Sequence, residues 1–189
     1  MTRAANLRRS RLAGASTSAM FPGMRVGLAL GSNLGDRAAT LSAARRFLLS
    51  LHTGPEAPLF SALYETEPLD CPAGSPGFLN AAAEVETPLD PAVLLGQLQA
   101  AEREAGRSAT GPRNSPRLLD LDLLYYGDLV ASGPFLVLPH PRMLQRRFVL
   151  QPLAEIRPDL VLPGQTQTVC ALLSALPPGP AVRRAVANW

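Results

Sequence analysis

Apolar and polar positions fall into blocks along the chain, and the period of each block predicts its element. Met24 to Leu30 is an unbroken small and apolar run, the pattern of a buried strand. It gives way to Gly31-Ser32-Asn33-Leu34-Gly35-Asp36, a turn that ends in helix-capping residues. From Asp36 to Leu51 the apolar positions are 38, 41, 44, 47, 48 and 51, a helical spacing. After a loop with Pro55 and Pro58, Leu59 to Glu65 predicts a strand. Pro68 to Gly77 holds three prolines and two glycines and predicts a long irregular loop. Leu79 to Thr87 reads as a strand, and Pro91 opens a helix to about Gly106 with apolar residues at 94, 95, 98 and 101. Residues 107–117 form a polar loop carrying Arg107, Arg113 and Arg117. Leu118 to Tyr126 is strand-like, with a turn at Gly127-Asp128. Short paired strands are expected at 129–130 and 136–138, and short helices at 148–156 and 168–176.

This order predicts an α+β fold: a ferredoxin-like βαββαβ sandwich with extra C-terminal strands and short helices. Two helices would cover one sheet face and leave the other open for a site. Loops of ten or more residues are uncommon in a compact domain and are often functional, which draws attention to 67–77 and 107–117.

Composition narrows the chemistry. The 189 residues include 18 basic and 15 acidic side chains, and every basic one is arginine. Without lysine there is no Schiff-base lysine and no Walker A lysine. Residues 1–24 carry four arginines and no acid; the rest counts 14 basic against 15 acidic, formally −1. The basic excess therefore belongs to a tail, and a nucleic-acid-binding body is not expected. We expect residues 1–23 to be an N-terminal extension, disordered or arising from a misplaced start, ahead of a domain at 24–189. An organelle-targeting segment and a nucleic-acid-binding arm are the other readings of that tail. Cys71 and Cys170 lie far apart and read as free thiols in a reducing compartment. No apolar stretch approaches the ~20 residues needed to cross a bilayer, so no membrane partner is expected.

Candidate chemistry centres on Arg117-Leu118-Leu119-Asp120-Leu121-Asp122. Side chains alternate along a strand, so Asp120 and Asp122 share a face. Two adjacent carboxylates repel unless a cation or proton lies between them, and magnesium held by carboxylates and substrate phosphates suits the pair. The nearby arginines match phosphate oxygens. A solvated acidic strand face neutralised by arginines is the alternative. Gly31 to Gly35 has some likeness to a phosphate-cradling loop but lacks its glycine pattern and lysine; a structural turn capping the first helix is the better reading. His140 is pinned between Pro139 and Pro141 and could face a ligand. Asn80, inside an apolar strand, needs polar partners.

Five blocks in order carry a resemblance: LALGSNLGDR at 28–37, YETEPL at 64–69, FLNAAAEVET at 78–87, PRLLDLDLLYYG at 116–127, and LPHPRM with RRFVLQPLAEI at 138–156. Together they resemble 6-hydroxymethyl-7,8-dihydropterin pyrophosphokinase, over Met24 to Leu176. The resemblance implies transfer of pyrophosphate from ATP to the hydroxymethyl group of the pterin, giving AMP, in folate biosynthesis. It implies that Asp120 and Asp122 hold two magnesium ions and that Arg107 and Arg117 contact phosphate, these four being the catalytic set. Gln99, Leu123, His140 and Arg146 join the arginines on the ATP side. Phe78 and Phe148 would sandwich the pterin, Asn80 would read its polar edge, and Thr66 and Leu69 would line its pocket. Thr110, Asn114 and Ser115 depart from the commonest family pattern. A cytoplasmic monomer acting on small molecules is expected. The rivals are another metal-dependent phosphoryl transferase on the same fold, which would not need Phe78, Asn80 and Phe148, and a non-catalytic ferredoxin-like binding domain, which would not need the acids.

Overall fold

The computed structural model describes residues 23–67, 74, 76–106 and 116–189. The strands are β1 (Met24–Ser32), β2 (Leu59–Phe60), β3 (Leu63–Thr66), β4 (Phe78–Thr87), β5 (Asp120–Tyr126), β6 (Ala131–Ser132), β7 (Val137–Leu138) and β8 (Val182–Val186). The helices are α1 (Arg37–Leu51), α2 (Pro91–Glu104), α3 (Arg147–Ile156) and α4 (Val169–Ala175), with a 3-10 turn at Met143–Gln145. Three helices start on side-chain caps. Asp36 accepts from the Ala39 N–H at 3.0 Å, Asp90 from the Ala92 N–H at 2.8 Å, and Thr168 from the Ala171 N–H at 3.2 Å. Pro91 occupies the first turn of α2, where a missing N–H costs nothing.

The main sheet runs β5-β1-β4-β3-β8, with β2 also paired to β4, and every pairing is antiparallel. That is the ferredoxin-like order, extended at one edge by β8. Alternation along β1 sorts the layers. Val26, Leu28 and Leu30 enter a core built with Leu41, Ala44 and Leu48 of α1 and Leu94 and Leu98 of α2. The opposite face is not left open as expected. Ala82, Leu124 and Tyr125 pack against Val149, Leu150 and Leu153 of α3 and Val169 of α4. The periodicity predicted these helices but carried no information on where their apolar stripes dock. They cover the end of the sheet holding Ala82 and Tyr125. Asp120, Asn80 and Gly31 lie at the other end, outside that cluster.

Side chains latch α3 in place. Glu155 accepts from the Ala62 N–H at 2.9 Å, the Tyr64 hydroxyl at 3.1 Å and Arg184 at 2.7 Å. Beyond the helix end, Arg157 donates to Glu84 at 2.9 Å, and the Tyr125 hydroxyl donates to the same carboxylate at 2.5 Å. The expected strand at 59–65 is broken at Ser61-Ala62. There the Ser61 N–H donates to the Ala82 carbonyl, and its hydroxyl accepts from the Ala82 N–H, both at 2.9 Å. Side-chain bonding of this kind left no mark in the hydrophobic pattern. β1 runs two residues beyond its expected end, so Gly31 and Ser32 are strand rather than turn.

Candidate active site

The site is built on the ends of β1, β4 and β5 that α3 leaves uncovered. Asp120 and Asp122 lie on β5 with cross-strand partners Gly31 and Ala29 on β1. Asp120 is paired with Arg117 at 2.7 Å. Burial pushes the Asp122 carboxyl above the usual carboxylate range, and the Asp120 charge pushes it further; His140, Arg146 and Arg142 oppose the shift. Burial pushes the His140 imidazole down, Asp122 opposes this, and Arg146 and Arg142 add to it. His140 and Arg146 are therefore within electrostatic reach of Asp122. The His140 N–H donates to the Leu124 carbonyl at 2.8 Å, which ties the loop after the Leu138-Pro139 cis peptide to β5.

β5 is a sheet edge, and nothing in the hydrophobic pattern shows how its backbone is held. The side chain of Glu102, buried on α2, accepts from the Leu121 N–H at 2.9 Å, between the two aspartates. Asn33, also buried, accepts from the Arg117 N–H at 2.8 Å, donates from its own N–H to the Arg117 carbonyl at 3.2 Å, and reaches the Pro76 carbonyl at 3.4 Å with its amide. Arg37 donates to the Gly77 carbonyl at 2.8 Å and pairs with Glu65 at 3.1 Å. Asn33 and Arg37 thus anchor the approaches to both Phe78 and Asp120. The capping-turn reading of residues 31–36 captured only Asp36 among these roles.

Thr66 links the expected pterin residues of β4 to Phe148. Asn80 and Thr66, both buried, bond to each other, the Asn80 amide donating to the Thr66 hydroxyl at 2.8 Å. Phe78, Asn80 and Asp120 converge on Gly31, where a Cβ would meet Asn80 Oδ1 at 3.4 Å, Asp120 Cβ at 3.7 Å and Phe78 Cδ1 at 3.9 Å. Phe148 lines a cavity of about 200 Å³ with the same Thr66, and with Glu67, Gln145, Arg147 and the 176–182 segment. The Arg146 guanidinium sits over the Phe148 ring, 5.4 Å from its centroid. Leu123 is buried in the α1/α2 core, so only its backbone is available to a ligand. Gln99 lies exposed on α2. Arg107, Leu69, Thr110, Asn114, Ser115, Cys71 and residues 1–22 lie outside the described residues.

Among the described residues no group of three or more His, Cys, Asp and Glu side chains could hold a metal. What is present is a pair of adjacent carboxylates, one of them destabilised as an anion. That donor set suits a hard cation whose remaining ligands come from substrate oxygens and water. Among the described residues no helix is long and apolar enough to cross a membrane.

Residues 27–158 match the model of the family described as 7,8-dihydro-6-hydroxymethylpterin-pyrophosphokinase (HPPK). A 2-amino-4-hydroxy-6-hydroxymethyldihydropteridine pyrophosphokinase of Pseudomonas aeruginosa is 45% identical over 141 residues, covering 74% of this chain and 84% of that protein. The folic acid synthesis protein fol1 of Pneumocystis carinii is 40% identical over 137 residues, but this chain spans only 18% of its length. A Plasmodium falciparum HPPK-DHPS crystal structure superposes with a TM-score of 0.64 at 15% identity, over 84% of this chain and 44% of that one, which establishes the common fold. The family match over most of the sequence, the Pseudomonas relative and the shared fold agree: this chain belongs to the 7,8-dihydro-6-hydroxymethylpterin-pyrophosphokinase family.

Proposed function

We propose that this chain transfers pyrophosphate from ATP to the hydroxymethyl group of 6-hydroxymethyl-7,8-dihydropterin, releasing AMP and the pterin diphosphate, a step of folate biosynthesis. The observation that carries the reading is a register. Asn80 on β4 and Asp120 on β5 are both direct partners of Gly31 on β1. A group that reads a heterocycle edge and a group that suits a cation and phosphate are thus one strand apart on either side of the same residue. Such spacing suits a reaction that joins an alcohol to a phosphorus atom.

In this reading Asp120 and Asp122 hold magnesium, two ions when ATP is bound, and the metal supplies opposition to the charge on the phosphate oxygens. Arg117 and Arg146 add fixed positive charge, with Arg107 as a further phosphate contact. Arg117 is oriented for this by Asn33 on its backbone and Asp120 on its guanidinium. His140 and Gln99, with the Leu123 backbone, complete the ATP side. Asn80 and Thr66 present a donor and a hydroxyl to the polar edge of the pterin, and Phe78, Phe148 and Leu69 enclose it. The hydroxymethyl oxygen attacks the β-phosphorus as the bridging oxygen departs with AMP. The hydroxyl proton passes to Asp120 or to water. No protein nucleophile is required, and alignment of the two substrates is the main contribution of the fold. We place the chain in the cytoplasm as a monomer acting on small molecules.

The test is AMP release from ATP and magnesium, with and without the pterin. AMP that forms only with the pterin supports the proposal. An enzyme that neither binds the pterin nor forms AMP refutes it.

A further inference from the structure

We infer that Gly31 is the floor of the reaction site, kept without a side chain so that the substrates can meet above it. The inference rests on the proposed pyrophosphoryl transfer.

A glycine inside a central strand needs a reason, because it is a poor strand former. The usual reasons fail here. Gly31 is not among the glycines with positive φ, which among the described residues are Gly35, Gly74, Gly106, Gly127 and Gly164. Nor does packing forbid a methyl group. The contacts of an added Cβ, 3.4 to 3.9 Å, are ordinary van der Waals distances. Gly27 lies on the same strand face and shows the contrast, since a Cβ there would fall 2.0 Å from the Tyr125 ring. The fold demands a glycine at 27 and does not demand one at 31.

What distinguishes position 31 is its neighbours. The three nearest heavy atoms around the missing Cβ belong to Asn80, Asp120 and Phe78, all residues placed in the substrate site on other grounds. The next position on the same face, Ala29, does carry a methyl group, beside Ala82 and Asp122. Of the two glycines on this face, Gly27 is covered by the Tyr125 ring, whereas Gly31 lies where the acceptor side and the phosphate side adjoin. A path from a ring held at Asn80 to a phosphorus held near Asp120 crosses Gly31. A methyl group there would lift one reactant, and displacements of about 1 Å cost up to ~10²-fold in rate. Gly31 is a positioning residue in this account, acting by what it lacks.

The experiment compares wild type, Gly31→Ala and Gly96→Ala for thermal midpoint and for kcat/KM in the AMP-release assay with ATP, magnesium and the pterin. Gly96 is exposed on α2 with no atom within 4 Å of an added Cβ, so its variant controls for the glycine-to-alanine change itself. We expect Gly31→Ala to melt at or slightly above the wild-type temperature while kcat/KM for the pterin falls at least tenfold. We expect Gly96→Ala to stay within twofold of wild type. An active wild type with Gly31→Ala within twofold of it overturns the inference and leaves the proposed function standing. A Gly31→Ala protein that melts well below wild type overturns it too, because the glycine would then serve the fold. A wild type without pterin-dependent AMP release removes the proposed function, and this inference with it.

Discussion

Gly27→Ala should cripple folding through a single contact. The added Cβ would lie 2.0 to 2.5 Å from three atoms of the Tyr125 ring, well inside any real carbon–carbon contact. The ring crosses β1 over Gly27 to bring its hydroxyl to Glu84 on β4, so it has no nearby alternative position that keeps this bond. If the ring leaves, most of the packing of a large aromatic is lost, about 3 kcal/mol by comparison with aromatic-to-alanine changes in cores. Glu84, 5% exposed, also loses a donor, which adds about 1.5 kcal/mol or more. A total near 4–5 kcal/mol is a large share of the ~5–15 kcal/mol that holds a typical domain. Urea unfolding followed by circular dichroism measures it. The mechanism is isolated by a cycle with Tyr125→Ala. In that background the clash is gone, and Gly27→Ala should be neutral or should stabilise by about 0.5 kcal/mol, since alanine suits a strand better. Additivity of the two changes within about 0.5 kcal/mol would refute the argument, because it would mean that the methyl and the ring do not compete for the same space.

Asp122→Asn should lower kcat by about 10²–10³-fold, the scale seen when one transition-state charge contact is lost, and EDTA should abolish the wild-type rate until magnesium is restored. The folded protein raises the Asp122 pKa, so the ionised form destabilises the fold above the unfolded pKa; the neutral variant should therefore show a higher urea midpoint at pH 7 without metal. Arg157→Ala should cost about 2 kcal/mol, less than a fully buried pair because the arginine is 27% exposed, and the loss should shrink in a Glu84→Gln background when the two are unfolded in urea side by side. Glu102→Ala leaves the Leu121 N–H without its carboxylate and should cost about 1–3 kcal/mol, with Glu102→Gln recovering most of it because the acceptor oxygen remains.

The sequence spoke clearly where a pattern is local. The spacing of 38, 41, 44 and 48 set α1, the run from 79 to 87 set all but the first residue of β4, and Asp120 with Asp122 declared a shared strand face. The motif blocks pointed to the family at once, because their order and spacing survive in one dimension. Non-local arrangements were not legible. Ser61 interrupts a strand by bonding to Ala82, twenty-one positions away. Glu102 secures β5 from a neighbouring helix, and Asn33, just past β1, secures the segment that leads into β5. Each is a polar side chain whose partner is a backbone group, so no pairing of residue types betrays it. The docking of α3 on the second sheet face was hidden for a related reason. An apolar stripe states that a helix face is buried, but not against what.

Those hidden contacts explain how one sheet face serves two ends. Along β1 the residues facing α3 and the site are Gly27, Ala29 and Gly31. At 27 the absent side chain admits the Tyr125 ring, which fastens β5 to β4 and, through Glu84 and Arg157, fastens α3 to the sheet. With that end closed, the helix begins at Arg147 and Phe148, so the cation–π pair of Arg146 and Phe148 stands at the edge of the open end. At 31 the absent side chain leaves the space between Asn80 and Asp120 free. The same chemical feature, a missing Cβ, thus supports packing at one end of the face and leaves room for ligands at the other. This division makes a sharp demand on experiment: alanine at 27 should damage the fold and alanine at 31 should damage only the reaction. Damage of the same kind at both positions would mean that the face is a single packed surface and that the site lies elsewhere.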